Sequence, residues 1–292
     1  MALYPFNLEF SASLNRAEFP FIIDGVPVRG PRCVLSSREA GDMRYTPASL
    51  NPSREAFFAS LGLDSQRVRS CVQVHSQKVV MACGSEYRRD IQADGLVISG
   101  AEAGTDDMAG TGATAGSPPP VLAVTAADCL PVFLWDTSSG ALGLVHSGWK
   151  GTGIVLEALD LMEKHWGVLP GQVAAVLGPC IQHGAYQVEE GRVRQFEERV
   201  AARLKSLPEH GVPEHRQDNP PPAFFPGPLV YGDRDGVHFY LDLQSANAGL
   251  LASRGVSHIA YCKDCTFTGH RLGSYRREGK NYTRMAALLG WF

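Results

Sequence analysis

Six short runs constrain this chain more than any other feature: VLAVTA, VFLWD, ALGLVH, VAAVLG, VHFYLDL and SHIAYC. Each is rich in β-branched or aromatic residues and closed by turn residues, which is the signature of a strand. Segments of a different period lie between them. IVLEALDLMEKHW sets Val155, Leu159, Met162 and Trp166 on one helical face. GRVRQFEERVAARLK does the same with Val193, Phe196, Val200 and Leu204, and its Glu-to-Arg pairs suit an exposed opposite face. LQSANAGLLASRG predicts a third helix, closed by Gly255. The alternation is too irregular for a doubly wound sheet. The expected fold is therefore α/β (α+β), a mixed sandwich around one sheet system.

Two segments have almost nothing to bury. Residues 99–120 are rich in Gly, Ala, Thr and Pro, and residues 206–228 are polar and proline-rich. Strand patterns flank both, so they read as surface loops inserted into one domain spanning residues 1–292 rather than as linkers. No internal repeat is present. With 292 residues, 44% of them hydrophobic, a sizeable core is available. A formal charge of −3 with scattered basic residues argues against nucleic acid as a partner. No run approaches the ~20 apolar residues that span a bilayer, and MALYPFNLEF lacks the pattern of a secretory signal. Seven cysteines (Cys33, Cys71, Cys83, Cys129, Cys180, Cys262, Cys265) then read as reduced thiols of a cytoplasmic protein.

The stretch ALGLVHSGWKGTG resembles a phosphate-binding loop, yet the order Gly-x-x-x-x-Gly-Lys-Ser/Thr is absent. His146 ends the strand, and the helix after Gly153 begins with free N–H groups that favour an anion, with Lys150 adding charge. Taken alone, the stretch reads as readily as an ordinary β–α turn around a buried aromatic. A second segment, TAADCLPVFLWD, presents Cys129 in a tight turn between two strands. A third, CVQVHSQKVV, puts His75 within a strand or at its end. Two imidazoles and a thiolate are a natural three-donor set for zinc, with the fourth tetrahedral position open. Spacing does not establish the set, and a structural role for one of the three reads equally well.

Other candidates are weaker. Cys262-Lys-Asp-Cys265 lacks the second pair of a zinc ribbon and runs into TFTGHRLGSYRR, which reads as a strand. The zinc-deaminase signature is absent, because Pro179-Cys180 continues as Ile181-Gln182-His183. His165 reads as a surface or packing residue. His210, His215, His238, His258 and His270 show no partner in the sequence.

QVHSQKVV, ADGLVIS, TAADCLPVFLWD, LGLVHSGWKGT, LGPCIQHGAYQV and SYRREGKNYTRMAALLG, in this order from about Cys33 onward, resemble the YfiH/laccase-domain family, also called multicopper polyphenol oxidase-like. The resemblance implies a YfiH-like sandwich and a zinc-dependent enzyme acting on purine nucleosides. Members phosphorolyse adenosine, inosine and methylthioadenosine, and some deaminate adenosine. It places the metal ligands at His75, Cys129 and His146. Cys129 and His146 then belong to the catalytic set with Arg38 and Lys150, while Arg38, Lys150 and Arg276 fall to the phosphate and nucleoside.

The chain departs from the family in three places. Lys150 stands where arginine is usual and loses the bidentate fork. Ser36-Ser37-Arg38-Glu39-Ala40-Gly41 reduces the Thr-Arg-x-Gly-Gly pattern, and Ser49-Leu50-Asn51 replaces Asn-Leu-Gly. Rival readings are a metal-independent Cys129–His146 hydrolase, a laccase-like oxidoreductase with copper as the metal, and a non-enzymatic quality-control factor for cell-wall precursors. Monomer and homodimer are both open.

Overall fold

The computed structural model describes residues 2–11, 14–84, 87–103, 119–205, 229–232 and 238–292. The chain begins with β1 (Ala2–Phe6) and the hairpin of β2 (Arg16–Ile23) and β3 (Val26–Ser36). Helix α1 (Pro52–Ser60) is capped by the Asn51 side chain, which accepts from Ser53 N, with proline at its first position. Then come β4 (Val68–Arg69), β5 (Val79–Met81), β6 (Gly95–Ile98) and the helical turn α2 (Gly100–Ala103). The apolar runs form β7 (Val121–Ala126), β8 (Leu130–Asp136) and β9 (Leu142–Ser147), leading to α3 (Ile154–Trp166). β10 (Val173–Leu177), β11 (Gln187–Val188), α4 (Glu190–Lys205), β12 (Val230–Gly232), β13 (Phe239–Leu241) and α5 (Leu243–Ser253) follow. β14 (His258–Cys262), α6 (Tyr275–Glu278) and β15 (Met285–Gly290) complete the chain.

Two principal sheets result, where the sequence suggested one sheet system. A seven-stranded mixed sheet has the order β1-β14-β10-β8-β9-β6-β5, and a five-stranded sheet the order β2-β3-β15-β7-β4; β11, β13 and β12 form a small third sheet. Strand periodicity divides the cores. Phe133 of β8 points toward the five-stranded sheet and packs with Phe19, Leu35 and Met285. Its neighbours Val132 and Leu134 point the other way, beneath Leu159 of α3, Phe196 of α4 and Leu250 of α5. A third cluster sets Phe57 and Phe58 of α1 on the outer face of the five-stranded sheet. The seven-stranded sheet is thus covered on both faces, which is why its strands read as continuous apolar runs.

Several expectations need correction. Among the described residues of VHFYLDL the strand is Phe239–Leu241, and it ends where Asp242 leaves the sheet to cap α5, accepting from Ser245 N at 2.8 Å. TFTGHRLGSYRR forms turns and α6 instead of a strand. Gly273 lies so close to Thr283 that a Cβ there would meet its carbonyl oxygen, and Ser274 caps α6. His75 lies in a bend outside any strand, with φ +59. α5 ends at Ser253, with Arg254 as its cap and Gly255 following at φ +95. Of the two expected loops, 206–228 and most of 99–120 (104–118) lie outside the described residues, while Gly100–Ala103 forms α2 with Ala103 buried. No helix among the described residues is long and apolar enough to cross a membrane.

Candidate metal centre

The site starts from the turn between β7 and β8. Asp128 adopts φ +85, a conformation L side chains rarely take, and three contacts hold it there. Its carboxylate accepts from Thr266 Oγ1 at 2.6 Å and Arg276 N at 2.6 Å, and its carbonyl accepts from Ile181 N at 2.9 Å. The turn delivers Cys129 to the start of β8, whose Pro131 pairs across the ladder with His146 at the end of β9. Gly148, in the Ser-Gly-Trp turn after β9, lies against both Cys129 and His75. A Cβ there would lie 2.8 Å from Cys129 Sγ and 3.7 Å from His75 Cδ2, so only glycine lets the turn pass this close.

One buried carboxylate assembles the rest. Asp94, immediately before β6, accepts from Val74 N at 3.2 Å, His75 N at 3.0 Å, Ser76 N at 2.6 Å and Ser76 Oγ at 2.8 Å. It also lies 3.0 Å from His146 Nδ1, and its carbonyl accepts from His146 N at 2.7 Å. Asp94 therefore folds the bend that carries His75 and fixes the ring of His146. A ring whose Nδ1–H is held by a carboxylate presents Nε2 as a lone-pair donor. Sequence reasoning missed this residue. Its only signal was a lone acid, in ADGLVIS, ahead of a buried apolar strand.

His75, Cys129 and His146 come together with their donor atoms all within 4.8 Å of one another. The two imidazole rings meet edge to face, 5.1 Å between centroids. One ion with Zn–N of ~2.0–2.1 Å and Zn–S of ~2.3 Å can draw such a set in. His146 is buried, Cys129 half-buried and His75 exposed, so the centre opens to solvent on one side. The electrostatics suit a cation. Burial alone would raise the Cys129 thiol, but His146 and His75 pull it well below its ordinary value. Burial alone would lower His146, but the thiolate and Asp94 raise it. Asp94 is held below the usual carboxylate range against its own burial by His146 and Ser76.

The predicted anion-binding residues are disposed unevenly. Lys150 is exposed, its Nζ 5.5 Å from the Trp149 ring centroid, and Arg192 and Arg199 of α4 approach the same indole at 5.1 and 5.9 Å. Arg199 Nη1 also donates to the Lys150 carbonyl at 3.3 Å. Arg276 stands over Tyr186 at 5.6 Å and donates to Gln187 O at 2.9 Å. Burial and the nearby Cys129 thiolate push the Tyr186 phenol up, against the pull of Arg192 and Arg276, so these groups share one neighbourhood. Arg38 is half-exposed and reaches Glu278 at 3.4 Å, joining the C-terminal segment that also supports Asp128. The expected open N-terminus of α3 is covered: a Cβ on Gly153 would meet Arg203 Cγ at 2.8 Å and Gln77 Nε2 at 3.1 Å. Arg203 there pairs with Glu157 at 2.6 Å. Arg192 had no signal in the sequence, because it lies on the polar side of a helix; Tyr186 falls within the motif LGPCIQHGAYQV, where nothing singles it out.

None of the seven cysteines is joined in a disulfide. The backbones of Cys180 and Cys265 form an isolated parallel β-bridge, and Cys262 Sγ lies 3.5 Å from Asp264 Oδ2.

The family described as multi-copper polyphenol oxidoreductase laccase matches residues 37–291 of this chain. Among curated proteins, the purine nucleoside phosphorylase YlmD of Geobacillus stearothermophilus is 26% identical over 282 residues, covering 90% of this chain and 91% of the relative. A purine nucleoside phosphorylase of Deinococcus radiodurans is 28% identical over 262 residues, covering 89% and 83%. Among solved structures, YlmD of G. stearothermophilus superposes with a TM-score of 0.71 at 21% identity, covering 97% of this chain and 98% of that one. The hypothetical protein YfiH of Bacillus licheniformis gives 0.67 at 20% identity, covering 90% and 93%.

Proposed function

Because the chain belongs to the multi-copper polyphenol oxidoreductase laccase family, we propose that it is a zinc-dependent purine nucleoside phosphorylase acting on adenosine, inosine or methylthioadenosine, with its metal on His75, Cys129 and His146. The observation that carries this reading is the His-Cys-His cluster oriented by Asp94, in a chain whose full-length relatives bear the name purine nucleoside phosphorylase. Zinc held by these three side chains would supply a Lewis acid.

The remaining work falls to the chain's own groups. In phosphorolysis a phosphate oxygen bonds to the anomeric carbon, the bond from that carbon to the purine nitrogen breaks, and the base departs with a proton. The cations around Trp149 and Tyr186, namely Lys150, Arg192 and Arg276, suit the phosphate, since charge-assisted hydrogen bonds favour an anion held at close range. Arg38 serves the same need from the C-terminal side. Asp94 keeps His146 in one tautomer and keeps the bend of His75 in place.

Copper in a multi-site oxidase fits less well, because the described residues offer a single cluster of three or more metal-capable side chains. A Cys129–His146–Asp94 hydrolase without metal is the second reading, favoured by the depressed thiol beside an imidazole held by a carboxylate. The two part on one experiment: inosine turnover with and without phosphate, before and after chelation. Phosphorolysis requires both phosphate and metal. Turnover that survives both omissions establishes the hydrolase. The resemblance adds adenosine deamination as a second reaction of the same site, tested by inosine formation in phosphate-free buffer.

A further inference from the structure

A cleft lies away from the metal cluster, at the N-terminal end of α1 on the outer side of the five-stranded sheet. Its volume is about 170 Å³, and none of His75, Cys129 or His146 lines it. A water's share of liquid is about 30 Å³, so the space exceeds what a single solvent molecule needs.

Its floor is Arg54, only 5% exposed. The guanidinium is gripped face-on by Phe58 at 4.8 Å and Tyr45 at 5.0 Å. Nη1 donates to the Met43 carbonyl at 3.2 Å and Nη2 to the Ser70 hydroxyl. Every one of these partners is neutral. No carboxylate forms an ion pair with Arg54 among the described residues; Glu55, its neighbour on α1, acts on it only at a distance. A buried cation without a counter-charge is costly, and a guanidinium keeps its charge in proteins. The rim adds to the imbalance. Arg44 and Arg89 are exposed residues on the lining, with Thr46 and Ser49 hydroxyls beside them, and Glu55 is the only acid among the lining residues. Tyr45 Oη donates to the Arg89 carbonyl at 2.8 Å and so fixes that residue's backbone beside the cleft.

We propose that this cleft is an anion site, distinct from the metal centre, that takes a phosphate group, either as inorganic phosphate or on a phosphomonoester. The planar fork of Arg54 offers directional donors from below, and Arg44 and Arg89 close on the anion from the rim. The proposal does not depend on the reaction assigned to His75, Cys129 and His146.

Isothermal titration of the full-length, metal-loaded protein in low salt tests it, with inorganic phosphate and ribose 5-phosphate as probes and no nucleoside present. The variants are the double substitution Arg44→Ala/Arg89→Ala, which leaves the buried floor intact, and Lys150→Met, which addresses the metal-side anion. We expect the double variant to weaken binding of the favoured probe at least roughly tenfold, as the loss of charged hydrogen bonds implies. Its zinc content should stay unchanged, and Lys150→Met should retain this site. Tighter binding of ribose 5-phosphate identifies a phosphomonoester site, and equal binding an inorganic phosphate site. The proposal is overturned if the double variant binds both probes as the parent does, if neither probe binds the parent, or if all binding disappears in Lys150→Met.

Discussion

Replacing Asp94 with asparagine should cost both stability and metal affinity, because one carboxylate serves both. Oδ1 meets His75 N and His146 Nδ1, while Oδ2 meets Val74 N, Ser76 N and Ser76 Oγ. Asparagine has one acceptor oxygen, so in either flip its NH₂ group faces two or more donors. Each hydrogen bond to a charged group contributes about 1.5–3 kcal/mol, and a donor facing donors forfeits more than one of them. We expect a loss of about 3 kcal/mol, which at ~2–4 °C per kcal/mol lowers the melting temperature by roughly 6–12 °C. Zinc affinity should fall about 10- to 100-fold, as when the partner of a ligating histidine is removed. The pH dependence follows in sign. The folded-state pKa of Asp94 is depressed, so its contribution is present above the unfolded value of about 3.9 and disappears as pH falls through the folded one. The part of the gap between parent and variant that comes from Asp94's own titration should therefore close in acid. Chelator competition and thermal melts across pH measure both effects. A variant with parental zinc affinity and parental melting would refute the idea that Asp94 organises the centre.

Three further outcomes are expected. Gly148→Ala puts a methyl 2.8 Å from Cys129 Sγ, so zinc content measured by mass spectrometry should drop while the circular dichroism of the fold is kept; full occupancy would show that the turn yields easily. Lys150→Met and Arg192→Met should each raise the Michaelis constant for phosphate roughly tenfold or more, with zinc retained, since a charged hydrogen bond contributes about 1.5–3 kcal/mol; unchanged phosphate dependence in both would move the anion away from Trp149. In metal-free protein the Cys129 thiol, lowered to about 6, should alkylate with iodoacetamide rapidly at pH 7 and slow only as pH falls through that value; a midpoint near the ordinary ~8.5 would contradict the thiolate–imidazolium pairing.

Much of this architecture was legible in the chain because burial writes itself into period. The apolar runs of β7 to β10 are strands buried on both faces, and the stripe from Val155 to Met162 marks the inner face of α3. His75, Cys129 and His146 were found through the motifs around them, and they do converge. What stayed hidden depends on tertiary contact. Nothing in CVQVHSQKVV announces that His75 leaves the strand path, because the bend is imposed by Asp94, 19 residues away. TFTGHRLGSYRR alternates like a strand, yet the approach of Thr283 to Gly273 and the cap at Ser274 make it turns and a helix. The helix end after Gly153 read as an open anion site, and only the packing of α4 reveals Arg203 over it.

The central claim meets its most direct test in a zinc titration of metal-free protein, followed by phosphate-dependent release of hypoxanthine and ribose 1-phosphate from inosine. We expect turnover to rise in proportion to added zinc, to saturate at about one equivalent per chain, as a single tetrahedral site of three protein ligands requires, and to vanish when phosphate is left out. Cys129→Ala should give no rise. Turnover that is indifferent to zinc or to phosphate, or that persists in Cys129→Ala, would contradict a metal-dependent phosphorylase built on His75, Cys129 and His146.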